Sequence, residues 1–140
     1  MDDNKKLVRR FMEDALNKKN LSLLKELCAP NYTWHGEASP TSRNDVIGLE
    51  AFTRSVAEFT DAMPDLRIAI EDMIAEGDRI AVRYTESGTH TGATFLGLPP
   101  TGKYLAWSVI SIFRVENGKL AEEWFNEDAL GVWKQLGLLK

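Results

Sequence analysis

The second half of the chain alternates apolar and polar residues through four successive segments, and this pattern constrains the fold more than any other feature. The alternation is longest over residues 79–90 and 104–116. Two shorter alternating segments begin at Leu66 and at Lys119. Because successive side chains of a strand point to opposite faces, the pattern predicts four strands with one covered face each. The dipeptides Gly77-Asp78 and Asn117-Gly118 predict tight turns, so antiparallel pairing is expected.

The first half of the chain supplies apolar helix faces suited to covering such a sheet. Apolar residues recur at helical spacing over residues 4–18, 20–28 and 45–62. One short strand, residues 32–35, is predicted between the second and third helices, and a loop is predicted at 37–44. A short helix is expected at the C-terminal end. The predicted fold class is therefore α+β: a curved antiparallel sheet packed on three N-terminal helices, which leaves a cavity suited to a ligand.

Composition narrows the class of protein. A chain of 140 residues with 44% hydrophobic and 27% charged residues is typical of one globular domain, expected to span residues 1–140. The net charge of −4 argues against nucleic acid or an anionic membrane as partner. No apolar run resembles a signal peptide or a membrane span, so we expect a cytoplasmic protein. The single cysteine, Cys28, excludes an internal disulfide and is expected to be a small core residue.

The predicted last strand carries the leading candidate for chemistry. Residues two apart share a face of a strand, so Trp124, Asn126 and Asp128 are expected on the same side. If Asp128 faces an apolar cavity, desolvation raises its pKa and makes it an acid or base useful near neutral pH. Alternatively, Asp128 is the N-cap of the following helix, although Gly131 stands where a capping box would have Glu or Gln. The residue pattern leaves both interpretations open.

The two histidines are further candidates. His90 shares the parity of Tyr84 and Glu86, but a histidine flanked by glycines at a strand end suits a loop anchor as well as a catalyst. His35 ends the short strand, and its direction is open. No His-x-His or HExxH spacing occurs, and one cysteine cannot build a zinc site, so no metal is expected.

Aromatic residues suggest what the cavity would hold. The tryptophans are spread over three predicted strands and one helix, which suits an apolar cavity for a flat aromatic ligand. The candidate ligand contacts are Trp124, Asn126, His35, Trp34, Trp107, Tyr84 and Phe52.

Several segments together resemble a known family. They are GTHTGATFLGLPPTGK at residues 88–103, RVENGKLAEEW at 114–124, Asp128 in a W-x3-D series, and QLG at 135–137. The passages PDL at 64–66 and EGDRIAVR at 76–83 fit as well. In this order and spacing they resemble the SnoaL-like polyketide cyclases, also called predicted ester cyclases, of the NTF2-like superfamily. The resemblance covers nearly the whole chain.

The resemblance implies a cone-shaped NTF2-like barrel with a deep pocket, assembled as a homodimer or homotetramer through the sheet. It implies that Asp128 is a general acid/base, and the expected catalytic residues are Asp128 and His90. The implied reaction is an intramolecular aldol-type ring closure of a small hydrophobic or aromatic carbonyl ligand, without metal or cofactor. On the predicted strand 104–116 only Ser108 and Ser111 are polar candidates for the pocket, fewer than true cyclases have. The alternatives are a non-catalytic protein that binds a small ligand in the same cavity and a structural dimer.

Overall fold

The computed structural model describes residues 2–36 and 44–139, so residues 37–43 of the predicted loop lie outside it. No helix of the described residues is long and apolar enough to cross a membrane. The elements, in chain order, are α1 (Asp2–Arg9), a π-helix (Arg10–Asn17), a 3₁₀ turn (Leu21–Leu23), α2 (Leu24–Leu27), β1 (Cys28–His35), β2 (Asp45–Ile47), α3 (Leu49–Ala62), β3 (Arg67–Glu76), β4 (Arg79–Thr89), β5 (Tyr104–Glu116), β6 (Lys119–Glu127) and α4 (Ala129–Gln135).

The strands form one sheet in the order β2-β1-β6-β5-β4-β3. The four predicted strands are present and pair antiparallel with their neighbours in sequence. Asn117 and Gly118 both have positive φ, at 51° and 75°, as a tight hairpin turn requires. The predicted fold class, α+β with helices packed on a curved sheet, is confirmed, but the sheet is mixed, because β1 pairs in parallel with β6. The helix α3, between β2 and β3, allows the chain to return to the sheet at its far edge, which leaves β1 beside β6.

The helix boundaries also differ from the prediction. The first helix becomes a π-helix at Arg10, and such a stretch often occurs at functional sites. Its last residue, Asn17, is fastened to β3: its amide donates to the Ile68 carbonyl at 2.8 Å and accepts from the Ile68 N–H at 2.7 Å. The predicted third helix begins late, because β2 occupies its first residues and Gly48 has a φ of +93° that a helix cannot contain.

The apolar faces of the helices pack on the inner face of the sheet. Phe11 of the π-helix contacts Tyr32, Phe52 and Phe113, with ring centroids 5.4–6.1 Å apart. The alternation predicted for β4 and β5 is confirmed by burial of every second residue of those strands. Cys28 is a buried core residue, and burial raises the pKa of its thiol to about 12, which makes it unreactive.

One irregularity in β6 reverses which residues face inward. Val115 pairs with Leu120, but the preceding residue of β5, Arg114, pairs with Glu122. Ala121 is thus an extra residue, a β-bulge, and the side chains beyond it exchange faces. After the bulge the inward residues are Glu123, Phe125 and Glu127, whereas Trp124 and Asn126 point to the outer face of the sheet.

An ionic network on the outer face joins β2 to the rest of the sheet. His35 Nδ1 lies 3.0 Å from Asp45 Oδ1, and His35 Nε2 lies 2.6 Å from Glu122 Oε2. Arg114 Nε donates to the other oxygen of Glu122 at 2.9 Å, and the His35 ring stacks on Trp124. Burial alone would lower the pKa of His35, but the hydrogen bonds to Glu122 and Asp45 outweigh it and raise the pKa above its ordinary value.

We predict a pH-dependent contribution of His35 to stability. A raised pKa in the folded state means that the stabilisation is complete below about pH 6.5 and is lost as the pH rises through the raised value. The free energy of unfolding lost in His35→Gln should therefore be larger near pH 6 than near pH 9, by about 0.5–1 kcal/mol for so small and partly exposed a network. Urea denaturation of both proteins at the two pH values measures it.

Arg54→Gln is the matched control, because Arg54 forms an ion pair with Glu50 at 3.9 Å in which both side chains are largely exposed. Its loss of stability should be the same at both pH values. An equal loss at both pH values for His35→Gln would contradict the bridging role of the protonated ring.

Candidate active site

A cavity of about 330 Å³ lies between the helices and the inner face of the sheet. The π-helix and α3 form one side of it, β1 and β2 contribute to its edge, and β3, β4 and β6 form the opposite wall. Most of the wall is apolar and aromatic, as in many small-molecule sites. The aromatic lining residues are Phe11, Trp34, Phe52, Phe59, Tyr84 and Phe125.

Three carboxyl groups, from Glu86, Glu123 and Glu127, line this mostly apolar space. Glu86 is 8% exposed, and no hydrogen bond joins its carboxyl to another residue of the described ranges 2–36 and 44–139. Burial, followed by the negative charges of Glu127 and Glu123, raises the pKa of Glu86 to about 8. A carboxyl group with such a pKa exchanges its proton near neutral pH, which is the property that acid/base catalysis needs.

The second carboxyl belongs to a buried hydrogen-bond network. Glu123 accepts from the hydroxyl of Tyr32 and, at 2.8 Å, from the hydroxyl of Ser111. The hydroxyl of Ser111 lies 2.9 Å from that of Tyr84, which can donate to it. Burial raises the pKa of Glu123 to about 7, although its two hydrogen bonds oppose the shift. Because each oxygen of Glu123 already accepts a hydrogen bond, Glu123 is less free than Glu86 to engage a ligand.

Asp128 lies outside the cavity. Its side chain is exposed, and Oδ1 accepts from the Gly131 N–H at 2.9 Å, so the carboxylate caps α4. A Cβ at position 131 would lie 2.2 Å from Asp128 Oδ2, so the glycine permits this close approach. Of the two interpretations that the sequence left open, the geometry favours the helix cap. The catalytic role of Asp128 stays a prediction.

His90 is buried and anchors the loop that follows β4. Its Nε2 lies 2.9 Å from the Ala93 carbonyl, which can only accept, so Nε2 carries the proton. Its Nδ1 accepts from the Thr101 N–H at 3.3 Å. With both ring nitrogens engaged by the loop, His90 is not among the residues that line the cavity.

The remaining predicted contacts divide into two groups. Trp34, Phe52 and Tyr84 line the cavity, and their contact with a ligand stays a prediction. Trp107 lines a second space of about 90 Å³ that shares Phe59 and Glu127 with the first, and its buried indole N–H has no partner within the described part of the chain. The other group lies outside: His35, Trp124 and Asn126 belong to the outer face of the sheet.

The three cavity glutamates were missed as site residues, although a signal existed for one of them. Glu86 shares its parity with the buried Val82 and Tyr84, and a carboxyl on the apolar face of a strand indicates a site. Glu123 and Glu127 have no such signal, because the bulge at Ala121 moves them to the inner face. No group of three His, Cys, Asp or Glu residues within ranges 2–36 and 44–139 is placed to hold a metal ion.

Comparison with known proteins agrees with this architecture. Residues 6–136 match the family described as SnoaL-like polyketide cyclase. The comparison with curated proteins gave no match. Among solved structures, the candidate polyketide cyclase IdmH of Streptomyces antibioticus is 27% identical, with 96% of this chain and 98% of that chain covered and a TM-score of 0.79.

Two further structures extend the comparison. AclR of Streptomyces galilaeus, a candidate hydroxylase, is 28% identical, with coverage of 99% and 83% and a TM-score of 0.84. A candidate SnoaL-like polyketide cyclase from Jannaschia sp. CCS1 is 21% identical, with coverage of 99% and 94%, and its TM-score of 0.87 shows the shared fold. Since the family match extends over residues 6–136, the chain belongs to the SnoaL-like polyketide cyclase family.

Proposed function

We propose that this protein is an enzyme that removes and returns a proton next to a carbonyl group of a small, largely apolar substrate, in the manner of a polyketide cyclase. Glu86 is the proposed acid/base group, in place of Asp128. The observation that carries the proposal is the buried carboxyl group of Glu86 in the wall of an aromatic cavity. It has no hydrogen-bond partner among the described residues, and burial raises its pKa to about 8.

The reaction needs a carboxyl group that transfers protons, which is Glu86, and a cavity that holds the substrate in a reactive conformation. The ionised carboxylate of Glu86 takes a proton from a carbon beside a carbonyl, and the resulting enolate spreads its charge into the substrate. The enolate carbon then attacks a second carbonyl of the same molecule, which closes the ring, and the protonated Glu86 returns its proton to the new alkoxide. The aromatic walls hold the two reacting carbons together, which lowers the entropic part of the barrier.

The size of the cavity supports a compact substrate. A cavity of roughly 150 Å³ takes up one benzene ring, so a volume of about 330 Å³ suits a ligand of about two rings. The family match and the similarity to IdmH, a candidate polyketide cyclase, support the reaction class. The alternative function, a binding protein without catalysis, uses the same cavity and predicts no proton transfer.

Replacement of Glu86 by glutamine tests the proposal without knowledge of the natural substrate. The bicyclic ketone β-tetralone has an acidic C–H beside its carbonyl, and NMR measures its exchange for deuterium. The wild-type protein should accelerate this exchange, and Glu86→Gln should slow the accelerated rate by about 100-fold, the usual contribution of a general base. The rate should rise with pH and level off above about pH 8, because the ionised carboxylate is the base.

Asp128→Asn separates the two candidate carboxylates. Asparagine caps a helix as well as aspartate does, so this variant should fold normally and retain the exchange rate within about twofold. A loss of exchange in Asp128→Asn with full activity in Glu86→Gln would overturn the assignment and restore Asp128 as the base. Exchange that no variant alters, or a wild-type protein that binds the ketone without exchange, would favour the binding protein.

We also propose that two copies of the chain associate through the outer face of the sheet. Ile110 and Ile112 of β5 are 52% and 40% exposed there, and Ile112 lies opposite Trp124 of β6. Tyr104, at the start of β5, is 65% exposed. A contiguous apolar patch on a sheet is typical of an interface. This arrangement leaves the cavity, on the opposite face, accessible in each copy.

Introduction of a charged side chain on the outer face of the sheet tests whether two copies of the chain associate through it. Ile112→Glu should weaken the dimer at least about tenfold, because it places a carboxylate in an apolar interface. Sedimentation velocity over a range of concentrations measures the change. Leu130→Glu is the control, since Leu130 is exposed to a similar extent, at 56%, but belongs to α4 and not to the sheet, and it should leave the association unchanged. A wild-type protein that is monomeric at every concentration would contradict the proposal.

A further inference from the structure

The wall of the cavity combines negative groups with aromatic rings. Glu86, Glu123 and Glu127 line it, and none of its lining residues in ranges 2–36 and 44–139 is a lysine, arginine or histidine. Trp34 and Phe59 are among the rings that surround the same space. Carboxylates attract a cation directly, and the faces of aromatic rings attract it through their quadrupoles. A site of this composition favours a positively charged group and repels an anionic one.

Within the cavity, Glu86 is the residue beside which a positively charged group is expected to bind. Its side chain is more than nine-tenths buried and lines the cavity, and its carboxyl has no hydrogen-bond partner among the described residues. The charged groups that act on it, Glu127 and Glu123, are both negative. A buried carboxyl group in these surroundings is unfavourable until a donor or a cation reaches it.

We propose that the ligand of this cavity carries a protonated amine, which lies beside the carboxyl group of Glu86 and against the surrounding aromatic rings. The inference rests on the proposed function of the site and adds the class of its substrate: a compact carbonyl compound that also bears a basic amine.

The amine also accounts for how Glu86 becomes a base at neutral pH. With a pKa of about 8, the carboxyl of the unliganded protein is mostly protonated at neutral pH. An ammonium group beside Glu86 stabilises the ionised form of its carboxyl, so that Glu86 ionises and releases its proton to solvent. The other titratable group of the wall, Tyr84, has a pKa raised well above its ordinary value by burial and stays neutral. The π-helix and α3 contribute uncharged polar groups, from Asn17, Ser55 and Thr60.

Three compounds with the same indole ring system but different side-chain charges test whether the charge of a ligand, and not its shape, determines its affinity. Tryptamine carries an ammonium group, tryptophol carries a hydroxyl in its place, and indoleacetate carries a carboxylate. Titration calorimetry at neutral pH should show that tryptamine binds the wild-type protein at least about tenfold more tightly than tryptophol. Indoleacetate should bind most weakly. Calorimetry in buffers of different ionisation enthalpy should show release of close to one proton with tryptamine and none with tryptophol.

The variants locate the effect at Glu86. Glu86→Gln should abolish the preference for tryptamine and its proton release, while the affinity for tryptophol changes by no more than about twofold. Glu58→Gln removes the same formal charge from an exposed position of α3 and should keep both properties, which controls for the negative net charge of the protein. The melting temperature of each variant shows that it is folded, and the proton release of the wild-type protein decides the question if Glu86→Gln does not fold.

Equal affinity for tryptamine and tryptophol would overturn the inference, as would a preference that persists in Glu86→Gln or binding of tryptamine without proton release. Its failure is distinct from failure of the proposed function. β-Tetralone has no amine, so loss of its exchange in Glu86→Gln would uphold the acid/base role even if no preference for amines exists.

Discussion

The site depends on one extra residue in the last strand. Ala121 bulges from the pairing of β6 with β5, and every side chain beyond it changes face. The bulge brings Glu123 and Glu127 to the inner face, where they meet Glu86 of β4. The same shift places Trp124 and Asn126 on the outer face. A regular strand would have given an aromatic and amide lining to the cavity and left the carboxylates in water.

Burial of carboxyl groups gives the cavity its chemistry at a cost in stability. The pKa values of Glu86 and Glu123 are raised chiefly by loss of hydration, so the folded protein holds protons that the unfolded chain releases. Stability therefore decreases as the pH rises from about 4.5 towards the raised pKa values. A fold that retains unfavourable groups at one place, with an apolar wall around them, is typical of a functional site.

The two faces of the sheet carry different features: the inner face lines the cavity, and the outer face carries charged and apolar surface residues. The inner face and the helices enclose the cavity, and the π-helix is tied to the edge strand through Asn17 and Ile68. The outer face carries the ionic network of His35, Glu122 and Arg114 together with exposed isoleucines. Side chains that the sequence pattern assigned to one site are thus distributed between a ligand cavity and a surface.

The sequence by itself determined the fold class, five of the six strands and the hairpin turns, because alternation and turn preferences are local properties of neighbouring residues. It also determined the family, through segments spread over nearly the whole chain, and it placed Glu86 on the apolar parity of β4. Tertiary structure alone decided the rest. The parallel pairing of β1 with β6 joins residues about 90 positions apart. Capping by Asp128 and the bulge at Ala121 depend on how β6 meets β5 and α4. These contacts set the direction in which each carboxylate points. They form between separate strands and helices, so the local sequence pattern does not reveal them.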